Sequence, residues 1–379
     1  MRSHLLLALA ALRLADGCAR LGWATSPGAS HAPIPLRCPS GHPPRSPPAQ
    51  MSSSREVPLG QAAVRSLYSE QKARAEEKGA RAARYRQLMD ALMWPFFVLQ
   101  DHVGWTPRLQ PHDIGVISLE RELTADALAR LLRHEACAVH VRGFCSPRVC
   151  ERIEATLSQS AAFNPWEINR KGSSGVRSEV DKVGVVSGEA LDSFDSFAEY
   201  LDAAKALDEL LPGELNPFEQ LRKTLDAVHP QGCRVNQIVR GRPMPQGTFR
   251  RMFSSAGLVH ADTGSLLSAS AGEFSANVYI KTPRGKGALN VYPAQQYSLA
   301  ELPAIYALSR AQEGAYSSNA QEYLRKALPL KRSIDIEDGD LILINTGRFH
   351  EVEAYSEGYR LSGQCWISYV KDRPLYIWV

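Results

Sequence analysis

Apolar positions along the chain change period near residue 234. Before that point they recur mainly at helical spacing. Residues 62–94 read as one helix, charge- and alanine-rich from Glu70 to Arg86 with i,i+4 support. It then carries Tyr85, Leu88, Met89, Leu92 and Met93 as an apolar stripe, with Pro95 as its stop. Leu123-Thr124-Ala125-Asp126 opens a short helix bearing Leu128, Leu131 and Leu132. The run 137–144 alternates like a strand. Ser146-Pro147 then supplies an N-cap and a first-turn proline for a helix with Val149, Cys150, Ile153 and Leu157 on one side. Phe194 to Leu211 and Pro217 to Val228 are two further helices, and Gly172-Ser173-Ser174-Gly175 marks a loop.

From Arg234 the alternation is two-fold. Ala276, Val278 and Ile280 fall on one face of a strand, with Asn277 and Tyr279 on the other. Strands also follow at 287–293, around Ile334 and Ile336, at Leu341 to Ile344, before and through His350, and from Arg360 to Tyr369. Turns such as Glu337-Asp338-Gly339-Asp340 separate them, and residues 299–328 interrupt the series with a helical pattern carrying Leu302, Ile305, Tyr306 and Leu324. Short strands with turns between them predict an antiparallel sandwich or barrel, so the fold class is mainly β with flanking helices (α+β).

Residues 1–50 differ in kind. Arg2 precedes the apolar run Leu5 to Leu12, which is too short to span a bilayer; to Gln50 the chain then has eight prolines and a single acid, Asp16. This predicts a targeting presequence resembling the two-part leaders of algae with secondary plastids, hence an organellar, plastid location. A translation start at Met51 would instead give a cytoplasmic protein. The expected organisation is 1–50 presequence, 51–129 N-terminal helical extension, and 130–379 one β domain with helical insertions at 161–235 and 299–328. No membrane span is expected in the mature chain.

Composition excludes some classes. A net charge of +4 without an aromatic-interleaved basic patch argues against nucleic acid. Seven scattered cysteines, none in a CxxC pair, predict reduced thiols rather than a zinc ribbon or disulfide framework.

The chemistry gathers in the β region. His260 and Asp262, two apart on a strand, project to one side. His350 lies ninety residues further on in a second strand-like run. Two histidines and one carboxylate form the facial triad that holds non-haem Fe(II) with positions left open. Arg360 and Ser362 again share a strand face and suit a bidentate grip on a carboxylate. Each has an ordinary reading: a turn aspartate, a satisfied core histidine, a salt bridge from Arg360 to Glu351 or Glu353. His140 reads as a structural or exposed histidine. Trp366 is either core or pocket wall. Arg250 is either a partner for a substrate carboxylate or, beside Arg251, a surface residue.

Taken together, His260-Ala261-Asp262, His350 and Arg360-Leu361-Ser362 resemble the Fe(II)- and 2-oxoglutarate-dependent oxygenases, over roughly residues 130–372. The resemblance implies a double-stranded β-helix (jelly-roll) core. It implies His260, Asp262 and His350 as catalytic metal ligands, with Arg360 and Ser362, joined by Asn277 and Tyr279, at the cosubstrate or substrate. It also implies Fe(II), 2-oxoglutarate and O2 as cofactors, with ascorbate as reductant. The implied reaction hydroxylates an unactivated C–H bond of a small-molecule substrate, polar or amino-acid-like, releasing succinate and CO2. Arginine rather than the lysine of collagen-type prolyl hydroxylases favours small molecules. Asp262, in place of the glycine or alanine of halogenases, favours hydroxylation or desaturation. A prolyl-type protein hydroxylase, and a non-catalytic or zinc-binding jelly roll, are the alternatives. Residues 161–235 are expected to build the wall over the site.

Overall fold

The computed structural model describes residues 60–103, 109–166, 180–239, 242–255, 257–262, 271–294 and 318–379. The expected presequence, the Met51 start, the Gly172–Gly175 loop and the first part of the 299–328 insertion lie outside them.

The strands, in chain order, are β1 (Val116–Glu120), β2 (Ala138–Arg142), β3 (Phe163–Pro165), β4 (Val180–Val183), β5 (Cys233–Val235), β6 (Gln237–Val239), β7 (Arg242–Pro243), β8 (Thr248–Met252), β9 (Ala271–Lys281), β10 (Leu289–Val291), β11 (Arg332–Ile334), β12 (Leu341–Asn345), β13 (His350–Val352), β14 (Arg360–Val370) and β15 (Leu375–Trp378). The helices are α1 (Gln61–Val103), α2 (Ala125–Leu132), α3 (Pro147–Gln159), α4 (Phe194–Leu210), α5 (Pro217–Val228) and α6 (Ser318–Ala327).

The seven strands from β8 to β14, with the segment 257–262 between β8 and β9, define an eight-membered core. Along the large sheet the order is β8-β14-β9-β12, every pair antiparallel. In the small sheet β11-β10-β13 is extended past β13 by the segment 257–262, through an antiparallel bridge between His260 and His350. Numbered along the chain, the large sheet reads first-eighth-third-sixth and the small one second-seventh-fourth-fifth. This is the strand order of a jelly roll, a double-stranded β-helix, whose two sheets face each other. Tyr279, Ile342 and Ile344 of the large sheet share one hydrophobic cluster with Leu289, Val291 and Ile334 of the small sheet. The class is α+β, as the alternation predicts.

Both faces of the large sheet are covered, which explains why β12 reads as an apolar run from Leu341 to Ile344, with every residue of the strand buried. Leu341 and Leu343 face the helices; Ile342 and Ile344 face the small sheet. Against the outer face pack Leu128 and Leu131 of α2, Ile153 and Leu157 of α3, and Phe218, Leu221 and Leu225 of α5. The approach is close at Gly363, where an added Cβ would sit 2.9 Å from the Phe218 ring. Ser146 caps α3 through Val149 N–H, as read from the sequence, and Thr124 caps α2 through Ala127 N–H.

Three expectations change. Pro95 lies inside α1 rather than ending it. A proline removes one N–H and crowds one carbonyl, a cost of about 3 kcal/mol, and no glycine follows for nine residues to break the helix. Met89 and Met93 are buried, but Leu88 is 39% exposed. Secondly, β1 falls in the segment read as a helical extension, yet it pairs in parallel with β2 and forms the edge of the large sheet. Thirdly, α5, in the 161–235 stretch expected over the site, backs the large sheet instead; its apolar positions Phe218, Leu221 and Leu225 face the sheet's outer side. Among the described residues all five cysteines (Cys137, Cys145, Cys150, Cys233, Cys365) are buried free thiols. No described helix is long and apolar enough to cross a membrane.

Candidate metal centre

Alternation aims the ligands. Val259 and Phe349 point outward into a cluster under α6 with Leu324, so His260 and His350 must point between the sheets. The two histidines sit opposite each other: each backbone N–H donates to the other's carbonyl, at 2.9 and 2.8 Å. Asp262, on the same face as His260, has its N–H bound to the Thr346 carbonyl at 3.0 Å. One carboxylate oxygen lies 3.5 Å from His260 Nε2 and the other 3.5 Å from His350 Nε2. One ligand atom from each of the three residues lies within 4.8 Å of the others.

The imidazoles are oriented alike. His260 Nδ1 lies 2.9 Å from the Leu258 carbonyl and His350 Nδ1 2.9 Å from the Arg348 carbonyl. A ring donating from Nδ1 carries its lone pair on Nε2, the tautomer a metal-binding histidine needs. Burial by itself would raise the Asp262 carboxyl, but the hydrogen bond and charge of His350, with His260 and Arg250 beside it, hold it well below the usual range. Conversely, His350 is lowered by burial and raised, on balance, by Asp262 and the Arg348 carbonyl. The donor set fits a divalent first-row metal: two neutral nitrogens and one carboxylate on one face, nothing else being fixed to the opposite side by these three.

α6 holds the ligand-bearing edge from outside. Gln321 brackets Val259 with its side-chain amide, Oε1 accepting from the Val259 N–H at 2.8 Å and Nε2 donating to its carbonyl at 3.0 Å. Arg325 donates to the Gly257 carbonyl and reaches Glu351 at 2.9 Å. Glu351 also accepts from Tyr292 at 2.9 Å. Glu351 is thus neutralised on the outer face, and the expected alternative of an Arg360–Glu351 salt bridge does not form. The sequence shows no sign of the Gln321 clamp, since the residue sits in a helix sixty-two positions away from its partner.

Arg360 and Ser362 both face inward and are buried. The register between β14 and β9 shifts at Leu361/Ser362, a bulge of the kind often found beside active sites. The Arg360 guanidinium lies over Tyr279 (5.2 Å) and Tyr355 (5.9 Å) and donates to the Gly287 carbonyl. Gly287 has φ +72°, and a Cβ there would come 3.0 Å from both Arg360 Nη2 and the Tyr355 ring. The Arg360 Nε is shielded without a partner, and among the described residues no carboxylate lies within ion-pairing distance of this guanidinium. Tyr355 went unnoticed in the sequence; its place five residues before Arg360, in a loop, carries no periodic signal.

The other candidates separate. Asn277 accepts from Arg250 Nη2 at 3.4 Å, and Tyr279 lies under Arg360. Trp366 is half-buried and packs on Trp378 with ring centroids 6.2 Å apart. His140 is structural: its Nε2 lies 2.7 Å from Asp340 Oδ2. Arg250 and Arg251 split, the second pairing with Asp181 at 2.7 Å and the first turning inward opposite Ser362. A cavity of about 870 Å³ lined by Phe144, Cys145 and Gln220 shares no residue with this cluster.

No protein-family model and no curated protein matches the chain. Solved structures do. An N-substituted L-amino acid dioxygenase from Burkholderia ambifaria, in complex with alpha-KG, aligns at 16% identity over 66% of this chain and 90% of that one, with a TM-score of 0.41. A Pseudomonas putida prolyl-4-hydroxylase aligns at 12% identity over 63% and 97%, TM-score 0.30. HygX from Streptomyces hygroscopicus, with nickel and 2-oxoglutarate bound, aligns at 15% over 66% and 89%, TM-score 0.33. At such low scores the fold rests on the strand order itself. The chain has the jelly-roll strand order and, upon it, a His260-x-Asp262, His350, Arg360-x-Ser362 pattern.

Proposed function

We propose that this chain is an Fe(II)- and 2-oxoglutarate-dependent dioxygenase that hydroxylates an unactivated C–H bond of a small polar or amino-acid-like molecule. One observation carries the reading: a convergent His260–Asp262–His350 cluster shares the inter-sheet space with a buried guanidinium, Arg360, that has no carboxylate of its own. A buried cation left unpaired costs several kcal/mol, and an incoming carboxylate offsets that cost.

His260, Asp262 and His350 would hold the metal, which when bound supplies activation of O2 coupled to oxidative decarboxylation of the keto acid. The overall balance is substrate C–H + O2 + 2-oxoglutarate giving substrate C–OH + succinate + CO2. Arg360 would take the distal carboxylate of 2-oxoglutarate, with Ser362 beside it and the Tyr279 and Tyr355 rings excluding water from the contact. Holding the cosubstrate at both ends fixes its orientation before reaction. A small primary substrate, no nucleic acid partner, and ascorbate as reductant complete the reading.

The test is succinate formation by the chain from residue 51 with Fe(II), ascorbate and 2-oxoglutarate across an amino-acid and metabolite panel. Succinate that depends on both Fe(II) and 2-oxoglutarate supports it. No succinate, with Zn(II) supporting hydrolysis instead, would sink it.

A further inference from the structure

Arg250 is a second inward guanidinium that the pattern of ligands and cosubstrate anchor leaves unused. It lies on β8 with Ser362 as its register partner on β14. The neighbouring cations on this edge are satisfied, Lys182 by Glu189 at 2.7 Å and Arg251 by Asp181 at 2.7 Å. Arg250 has no carboxylate within 4.0 Å among the described residues; its 3.4 Å contact to Asn277 is long, and its Nε is shielded with no partner. Trp166 places its ring 5.9 Å from the guanidinium carbon. Arg250 feels the charges of both Asp262 and Arg360, so it lies within electrostatic reach of the metal cluster and of the cosubstrate anchor.

A count of charge then constrains what enters. Asp262 brings one negative charge, Arg250 and Arg360 two positive, and a divalent metal two more, a net of three positive. A 2-oxo dicarboxylate removes two. One positive charge remains at the half-buried Arg250, where an unmatched ion is disfavoured. A planar guanidinium with unused donors is matched best by a carboxylate.

We propose that Arg250 anchors a carboxylate of the primary substrate, so that the enzyme selects monoanionic carboxylic acids over their neutral analogues. This rests on the 2-oxoglutarate reading above and deepens it.

The experiment uses the chain from residue 51 loaded with Ni(II), which holds the site without turnover, in two calorimetric titrations. The first adds 2-oxoglutarate; absence of binding overturns the dioxygenase reading and this inference with it. The second adds, to the 2-oxoglutarate-loaded protein, N-acetylated amino acids and simple hydroxy acids, each a monoanion, paired with their neutral primary amides. At least one acid is expected to bind tenfold or more tighter than its amide. Arg250→Gln should erase that preference while leaving 2-oxoglutarate affinity within about twofold, and Arg250→Lys should restore part of it. If 2-oxoglutarate binds but no acid is preferred over its amide, this inference alone fails. It fails equally if Arg250→Gln chiefly weakens 2-oxoglutarate, which would make Arg250 a second cosubstrate anchor.

Discussion

His260 and His350 exchange both backbone hydrogen bonds and place their ring centroids 4.5 Å apart, although ninety residues separate them in the chain. The pairing is made by main chain, so the site is organised before any metal arrives. A preorganised set loses little on binding.

Metal binding should therefore be separable from folding. His260→Ala, His350→Ala and Asp262→Ala are each expected to abolish Fe(II) or Ni(II) binding and turnover while keeping the far-ultraviolet dichroism of the parent. The parent should melt at higher temperature with metal present, by about 2.7 kcal/mol of stabilisation at one hundred times Kd. The variants should show no such gain; a retained metal-dependent shift would place the ligands elsewhere.

Arg360→Ala should raise the 2-oxoglutarate Kd about 10- to 100-fold, the worth of a charge-assisted pair, with metal affinity unchanged. Gly287→Ala tests the same contact from the other side, since its methyl would crowd both Arg360 Nη2 and Tyr355 in a left-handed backbone. A weaker cosubstrate grip is expected there too. Equal 2-oxoglutarate affinity in both variants would remove Arg360 from the site.

Gln321→Ala withdraws the amide that brackets Val259 next to His260. Outer supports of metal ligands are commonly worth 10- to 100-fold in affinity. A loss of about tenfold in metal affinity is expected by competition with a chelator of known strength, with 2-oxoglutarate binding at saturating metal unchanged. Unaltered metal affinity would show that the strand holds its course without α6.

Asp340 should govern part of the acid response. Burial raises its carboxyl, but hydrogen bonds from His140 and from the Glu337 and Gly143 N–H groups lower it on balance below 3.8. A depressed folded-state value means the contribution is fully present above about pH 5 and is lost as pH falls through the folded-state value. Asp340→Asn should cost about 3 kcal/mol near neutrality, with the gap from the parent narrowing in urea titrations below pH 4. A gap constant down to pH 2 would rule this out.

Much of the architecture was legible because each sheet face leaves a mark on one strand. Ala276, Val278 and Ile280 against Asn277 and Tyr279 told which side faces what, and Ser146-Pro147 announced its helix by cap chemistry alone. Pro95 misled because a local rule about one hydrogen bond gives way within a long helix.

The sequence by itself determined which side chains share a strand face: His260 with Asp262, and Arg360 with Ser362. Alternation is a property of the local backbone and needs no partner. Only the tertiary structure decided what lies opposite them. The His260–His350 pairing, the turn of Arg250 inward and Arg251 outward onto Asp181, and the Gln321 clamp on Val259 all depend on register and packing between distant segments. Those relations carry no periodic signature, because the physics that fixes them acts across space rather than along the chain.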